Sequence, residues 1–185
     1  MPRLVLAPRD PLYAPTSCET MVGVLRSLGL IGDALSPTRY LAGEGFLDAI
    51  MFLGCSPRIE LSPRPDSPAD SFDFCHVQVP PSLASPEMHA GRNLKAPRCP
   101  RCRKPFAGKD DIRKASVHPE VSRPCAACGC RSAPIALNWR RSACISRLVV
   151  NIQDIHESEA VPSPGFLGGM EAATGTAWTY CYITD

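Results

Sequence analysis

The chain has 185 residues, of which 44% are hydrophobic, and a formal net charge of +2, a composition typical of globular proteins. No stretch approaches the ~20 consecutive apolar residues of a membrane-spanning helix, so we expect no membrane partner. Residues 1–8 lack the charged and then apolar pattern of a secretory signal. We therefore expect a cytoplasmic protein whose cysteines are reduced.

The first predicted elements are a strand and a capped helix. Residues 3–7 are mostly apolar and predict a strand. Thr16 and Glu19 have the spacing of a capping box, and an apolar stripe with helical period follows them. Gly29 is placed to end this helix.

Three further strands are predicted before the middle of the chain, at residues 49–53, 58–61 and 72–79. Two proline-rich stretches, residues 62–71 and 80–91, have the composition of connecting loops. The second of these leads to the most informative part of the sequence.

Two C-x-x-C pairs separated by 22 residues predict a metal site. Two residues between cysteines allow one tight turn to direct both sulfurs at the same point, and two such turns complete a tetrahedron around Zn²⁺ with no open position. We therefore predict a structural zinc ion. The predicted ligands are Cys99, Cys102, Cys125 and Cys128, with Cys130 and His118 as alternatives.

Three other uses of these cysteines are compatible with the sequence. A disulfide framework requires an oxidising compartment, which the absence of a signal segment disfavours. A redox C-x-x-C usually begins a helix, and Pro105 argues against a helix after the first pair. An iron–sulfur cluster uses the same ligands, although two distant C-x-x-C pairs more often bind zinc.

Residues 97–132, which contain both pairs, resemble the zinc-ribbon and zinc-knuckle modules. Such modules occur in many proteins that contact nucleic acid and in others that serve as protein-binding platforms. The resemblance implies a metal-stabilised binding module and covers about a fifth of the chain.

The remaining elements follow this segment. Alternating apolar residues predict a strand at 148–152. Ser163 and Pro164 have the residue types of a helix N-cap and first turn, and Gly175 is placed to end that helix. A last strand is predicted at residues 177–183.

This order of elements predicts an α+β fold, with a mainly antiparallel sheet, two short helices and an inserted four-cysteine zinc module. A split β-α-β or ferredoxin-like arrangement is the leading topology. We expect residues 1–91 and 142–185 to form one α+β body. Residues 92–141 would then be an inserted basic zinc module, which we call the predicted metal module.

Charge is distributed unevenly along the chain. Residues 92–147 contain fourteen Lys and Arg against three acidic residues, a net charge of +11, whereas residues 1–91 carry −4 and residues 148–185 carry −5. A basic surface of this kind can bind phosphates, or can dock on the acidic remainder of the chain. The candidate partner-binding residues are Arg98, Arg101, Arg103, Lys104, Arg123, Arg131, Arg140 and Arg141.

We therefore predict a zinc-stabilised binding protein that contacts nucleic acid or a ribonucleoprotein through its basic module. The alternative is a protein-docking module with purely structural zinc, and a third interpretation is an enzyme with an unrecognised site. The chain contains no phosphate-binding loop, H-E-x-x-H, G-x-S-x-G or dinucleotide-binding motif. No catalytic residue is therefore assigned.

Three weaker candidates are better explained by packing. Cys55 lies in a predicted tight turn, where a nucleophile would be exposed, but free cysteines usually behave as small buried hydrophobes. Cys75 and His76 are neighbours on a predicted strand, so their side chains point to opposite faces and cannot pair directly. The aromatic row in the last predicted strand, which includes Tyr180, is more typical of a core than of a ligand site.

Overall fold

The computed structural model describes residues 1–54, 59–64, 68, 71–107 and 121–185. The helices are α1 (Cys18–Ser27), α2 (Phe46–Ala49) and α3 (Pro164–Thr174), with a 3-10 turn at Pro134–Ala136. The strands are β1 (Pro2–Pro8), β2 (Ile31–Ser36), β3 (Arg39–Ala42), β4 (Ile50–Phe52), β5 (Val77–Gln78), β6 (Glu87–Ala90), β7 (Arg123–Pro124), β8 (Arg131–Ser132), β9 (Ala143–Ser146), β10 (Val150–Gln153), β11 (Ala160–Pro162) and β12 (Trp178–Thr184).

The largest sheet has six strands in the order β12-β1-β10-β5-β3-β2, and every neighbouring pair is antiparallel. Strands β1 and β5 therefore run parallel with β10 between them, and β10 and β12 run parallel with β1 between them. These four strands have the ferredoxin-like order that the sequence favoured. The predicted α+β class with a mainly antiparallel sheet is confirmed.

The main core lies between this sheet and the helices α1 and α3, which contact each other. On β1, Leu4 and Leu6 belong to this core, whereas Val5 packs on the opposite face with Cys144 and Cys181. Both faces of β1 are thus buried, which explains why its sequence is continuously apolar.

The predicted helices are present, with one correction at a helix start. The N-cap of α1 is Ser17 and not Thr16. The Ser17 hydroxyl accepts a hydrogen bond from the Thr20 amide at 3.2 Å. Both residue types can cap a helix, so the sequence left the position ambiguous by one residue. The N-cap at Ser163 and the left-handed Gly175 after α3 are as predicted. The short helix α2 was not predicted.

The strand predictions in the middle of the chain were only partly correct. Strand β4 lies inside the predicted range 49–53, but residues 59–61 form no strand and residue 58 lies outside the described part. Within residues 72–79 only β5 forms a ladder. Before β5, the Cys75 amide donates to the Glu60 carbonyl at 2.8 Å, an isolated contact that does not extend a sheet.

Smaller two-stranded sheets complete the described fold: β4 pairs with β11, β6 with β9, and β7 with β8. Strand β6 corrects the prediction that residues 80–91 are only a connector. Its partner β9 lies more than fifty residues further along the chain, so no local sequence pattern predicts that these two strands pair. Across the ranges that the structure describes, no helix combines the length and hydropathy required to cross a membrane.

A second apolar cluster supports the cysteine-rich part of the chain. Phe106 is almost fully buried there and packs with residues from the predicted metal module and from β9, which supplies Ala143 and Ile145. The cysteines Cys99 and Cys125 belong to the same cluster. The division of the chain at residues 92 and 141 stays a prediction.

Candidate metal centre

Both C-x-x-C turns have the same backbone hydrogen bonds. In the first knuckle (residues 99–104), the Cys99 amide donates to the Lys104 carbonyl at 2.9 Å, and the Arg103 amide donates back to the Cys99 carbonyl at 3.0 Å. In the second knuckle (residues 125–130), the Cys125 amide donates to the Cys130 carbonyl at 2.8 Å, and the Gly129 amide donates back to the Cys125 carbonyl at 2.9 Å. The two knuckles are therefore local copies of one structure.

The fifth residue of each knuckle has a left-handed backbone. Gly129 has φ of +68°, and Arg103 has φ of +59° at the corresponding position. This conformation costs a residue with a Cβ atom roughly 1–2 kcal/mol, whereas glycine adopts it without that cost. The first knuckle is therefore the more strained of the two.

The four cysteine sulfurs converge. All lie within 4.8 Å of one another, with 3.8 Å between Cys99 and Cys128 and 3.8 Å between Cys102 and Cys125. A tetrahedron with Zn–S bonds of about 2.3 Å has edges of about 3.8 Å. A disulfide would require about 2.05 Å. The arrangement therefore matches four ligands around one ion.

Of the two alternative ligands, Cys130 is not in this cluster. Cys130 Sγ contacts the Arg131 carbonyl at 3.8 Å and does not belong to the group of four. His118 lies outside the described residues. Of the two neighbouring candidates in the second knuckle, Cys128 is thus the one that the backbone directs toward the other sulfurs.

The sulfur environments differ across the cluster. Cys99 and Cys125 are buried, whereas Cys128 is exposed. Backbone hydrogen bonds from Cys102 and then Arg101 lower the pKa of Cys99 to about 6. The Cys130 backbone favours the Cys128 thiolate, but desolvation and the neighbouring sulfurs outweigh it and raise the pKa of Cys128 to about 12. Without a cation, four thiolates at this spacing repel one another, and a dication would remove that repulsion.

All eight predicted partner-binding residues are exposed at the surface. None forms an ion pair with a carboxylate in the described ranges. Arg98 forms isolated bridges with both Pro105 and Asn138, and so connects the first knuckle to the turn at residues 138–141. In that turn Arg140 and Arg141 both have left-handed φ angles.

Beside this turn the structure reveals two residues that sequence reasoning did not assign to a site. Arg9 and Tyr180 line one groove together with Arg140 and Arg141. Tyr180 was assigned to the core with its row, and it does pack against the core, but it stays half-buried beneath the Arg141 guanidinium. Only the tertiary fold brings these distant positions together, so no sequence pattern could have shown them.

The remaining catalytic candidates have no reactive geometry in the described ranges. Cys75 is fully buried, and desolvation raises its pKa to about 12, so it stays a neutral thiol. His76 is also buried, and its Nδ1 donates to the Phe74 carbonyl at 2.9 Å. Cys55 lies outside the described residues.

No family model matches the chain, and comparisons with curated proteins and with solved structures find no similar protein.

Proposed function

We propose that this chain is a zinc-stabilised nucleic-acid-binding protein. The four cysteines bind one Zn²⁺ as a structural ion, since the set is complete with protein sulfurs and leaves no open position for a substrate. The 3.8 Å sulfur separations support one ion at the centre of the four sulfurs. The metal orders the two knuckles, and the knuckles present part of the basic surface.

The observation that carries the binding proposal is the exposure of all eight basic side chains without an acidic partner in the described structure. Cations without acidic partners in one segment of the chain raise the local positive potential, and an external polyanion lowers it while releasing its own counterions. Phosphate contacts of this type carry no sequence information, so the proposed binding is largely independent of sequence.

Docking of the basic segment on the acidic remainder of the chain is the competing explanation. Within the described residues one ion pair supports it, between Lys95 and Glu157, and both side chains are partly exposed. A surface ion pair contributes only about 0–1 kcal/mol. Since the eight predicted residues make no such pair in the described ranges, we favour an external polyanion.

The test is binding of a fluorescein-labelled single-stranded oligonucleotide, measured by fluorescence anisotropy at low ionic strength. Replacing Arg101 and Lys104 by glutamate should weaken binding by at least about tenfold, because two attractive phosphate contacts become repulsive. The matched control replaces Arg26 and Arg64 by glutamate, which changes the net charge equally at exposed positions elsewhere. Equal losses in both variants, or no binding by the unmodified protein, would contradict the proposal.

A further inference from the structure

A groove of about 520 Å³ lies between the turn at residues 138–141, the end of β1 and the edge strand β12. Three arginines line it: Arg9, Arg140 and Arg141. None of the three forms an ion pair in the described part of the chain. The volume is within the range of ligand pockets, and the excess positive charge favours an anionic ligand.

The turn that carries two of these arginines is fixed by hydrogen bonds. The Asn138 side chain accepts from the Arg140 amide at 2.9 Å, and the Ser142 hydroxyl, fully buried, donates to the Trp139 carbonyl at 2.7 Å. The Arg141 carbonyl accepts from the Tyr182 amide at 2.9 Å, which attaches the turn to the edge of the main sheet. Two exposed arginines are therefore presented on a rigid backbone in a costly left-handed conformation.

Arg141 is stacked on an aromatic ring. Its guanidinium carbon lies 3.8 Å from the centre of the Tyr180 ring, in a cation–π contact. The ring in turn packs against Tyr182, at 5.9 Å between centroids with the planes nearly perpendicular. The guanidinium thus lies over the ring, while Arg141 as a whole stays exposed. Because Arg141 is exposed, a second planar group can contact the guanidinium on the side that faces away from the ring.

We infer that this groove binds a nucleotide of a single-stranded nucleic acid, with the base stacked on the Arg141 guanidinium and the adjoining phosphates on Arg9 and Arg140. The inference rests on the proposed function and names its substrate class. Base stacking on an arginine plane requires a base that is not already stacked in a duplex. Reading a duplex groove instead requires a projecting helix or ribbon, whereas this surface is concave.

The decisive variant is Arg141→Lys, which retains the charge but removes the planar guanidinium. Anisotropy is measured with a labelled twelve-nucleotide single strand and with a labelled twelve-base-pair duplex. Loss of one stacked base should weaken single-strand binding about 5- to 150-fold. Duplex binding should change less than twofold, because the charge remains.

Two further variants separate stacking from charge and from folding. Tyr180→Leu removes the ring beneath Arg141 and should weaken single-strand binding more than duplex binding. Arg123→Ala removes a charge on β7, outside the groove, and should weaken single-strand and duplex binding to the same extent. Circular dichroism and thermal unfolding verify that each variant is folded.

The outcomes distinguish this inference from the proposed function. If Arg141→Lys binds the single strand as well as the unmodified protein, or loses single-strand and duplex binding equally, the stacking site is wrong while nucleic-acid binding stands. If the unmodified protein binds neither probe, the proposed function itself is wrong.

Discussion

Cys102 Sγ of the first knuckle lies 3.8 Å from Cys125 Sγ of the second knuckle. The second short separation, between Cys99 and Cys128, also joins one knuckle to the other. Neither knuckle can therefore enclose a metal ion alone. Losing one cysteine from either knuckle removes a quarter of the ligand set and opens the site.

We predict one zinc ion per chain, measured by inductively coupled plasma mass spectrometry on the purified protein. Cys99→Ser or Cys125→Ser should reduce the zinc content to near zero and unfold the knuckles, since apparent metal-binding energies of about 10–16 kcal/mol are coupled to folding in such sites. Cys130→Ser is the matched control, because its sulfur lies outside the group of four, and it should retain the metal. A metal-free chain with intact knuckles would contradict the zinc assignment.

The helix cap offers a test at single-residue resolution. Ser17→Ala should lower the free energy of unfolding by about 1 kcal/mol, because the Thr20 amide loses its acceptor. Thr16→Ala should have almost no effect, since Thr16 is exposed and does not cap α1. Urea unfolding followed by circular dichroism measures both. A larger loss for Thr16→Ala would place the cap one residue earlier.

Local chemistry explains which parts of this structure could be predicted from sequence. The group of four cysteines follows from short-range turn geometry, and the cap at Ser163 and the stop at Gly175 depend on neighbouring residues alone. The sequence does not predict the hairpin of β2 and β3, because buried and exposed residues do not alternate regularly along β2 and the pairing register of the two strands shifts twice. The groove beside Arg141 depends on contacts between remote segments, which residue spacing does not encode.

The buried histidine predicts a pH dependence of stability. His76 Nε2 is buried and has no hydrogen-bond partner in the described structure, and desolvation lowers the pKa of His76 below its usual value. Nearby Arg39 also lowers this pKa, while the Phe74 carbonyl and Asp154 oppose the shift. Between the lowered pKa of the folded state and about pH 6.5, the unfolded chain therefore binds a proton that the folded chain does not.

The free energy of unfolding should consequently fall as the pH decreases from about 6.5, by at most about 1.4 kcal/mol per pH unit for this one proton. His76→Gln should reduce that slope, whatever it does to absolute stability. Identical slopes in the unmodified protein and His76→Gln would show that His76 does not titrate differently on folding.

The salt dependence of oligonucleotide binding tests the central claim most directly. The affinity of the zinc-loaded protein for a labelled single strand is measured by anisotropy between about 50 and 300 mM NaCl. Over this range salt progressively screens phosphate contacts. At about −0.7 per phosphate neutralised, contact with three or more phosphates predicts a log–log slope steeper than about −2. A slope near zero, or no binding at the lowest salt concentration, would contradict the account and favour a protein partner.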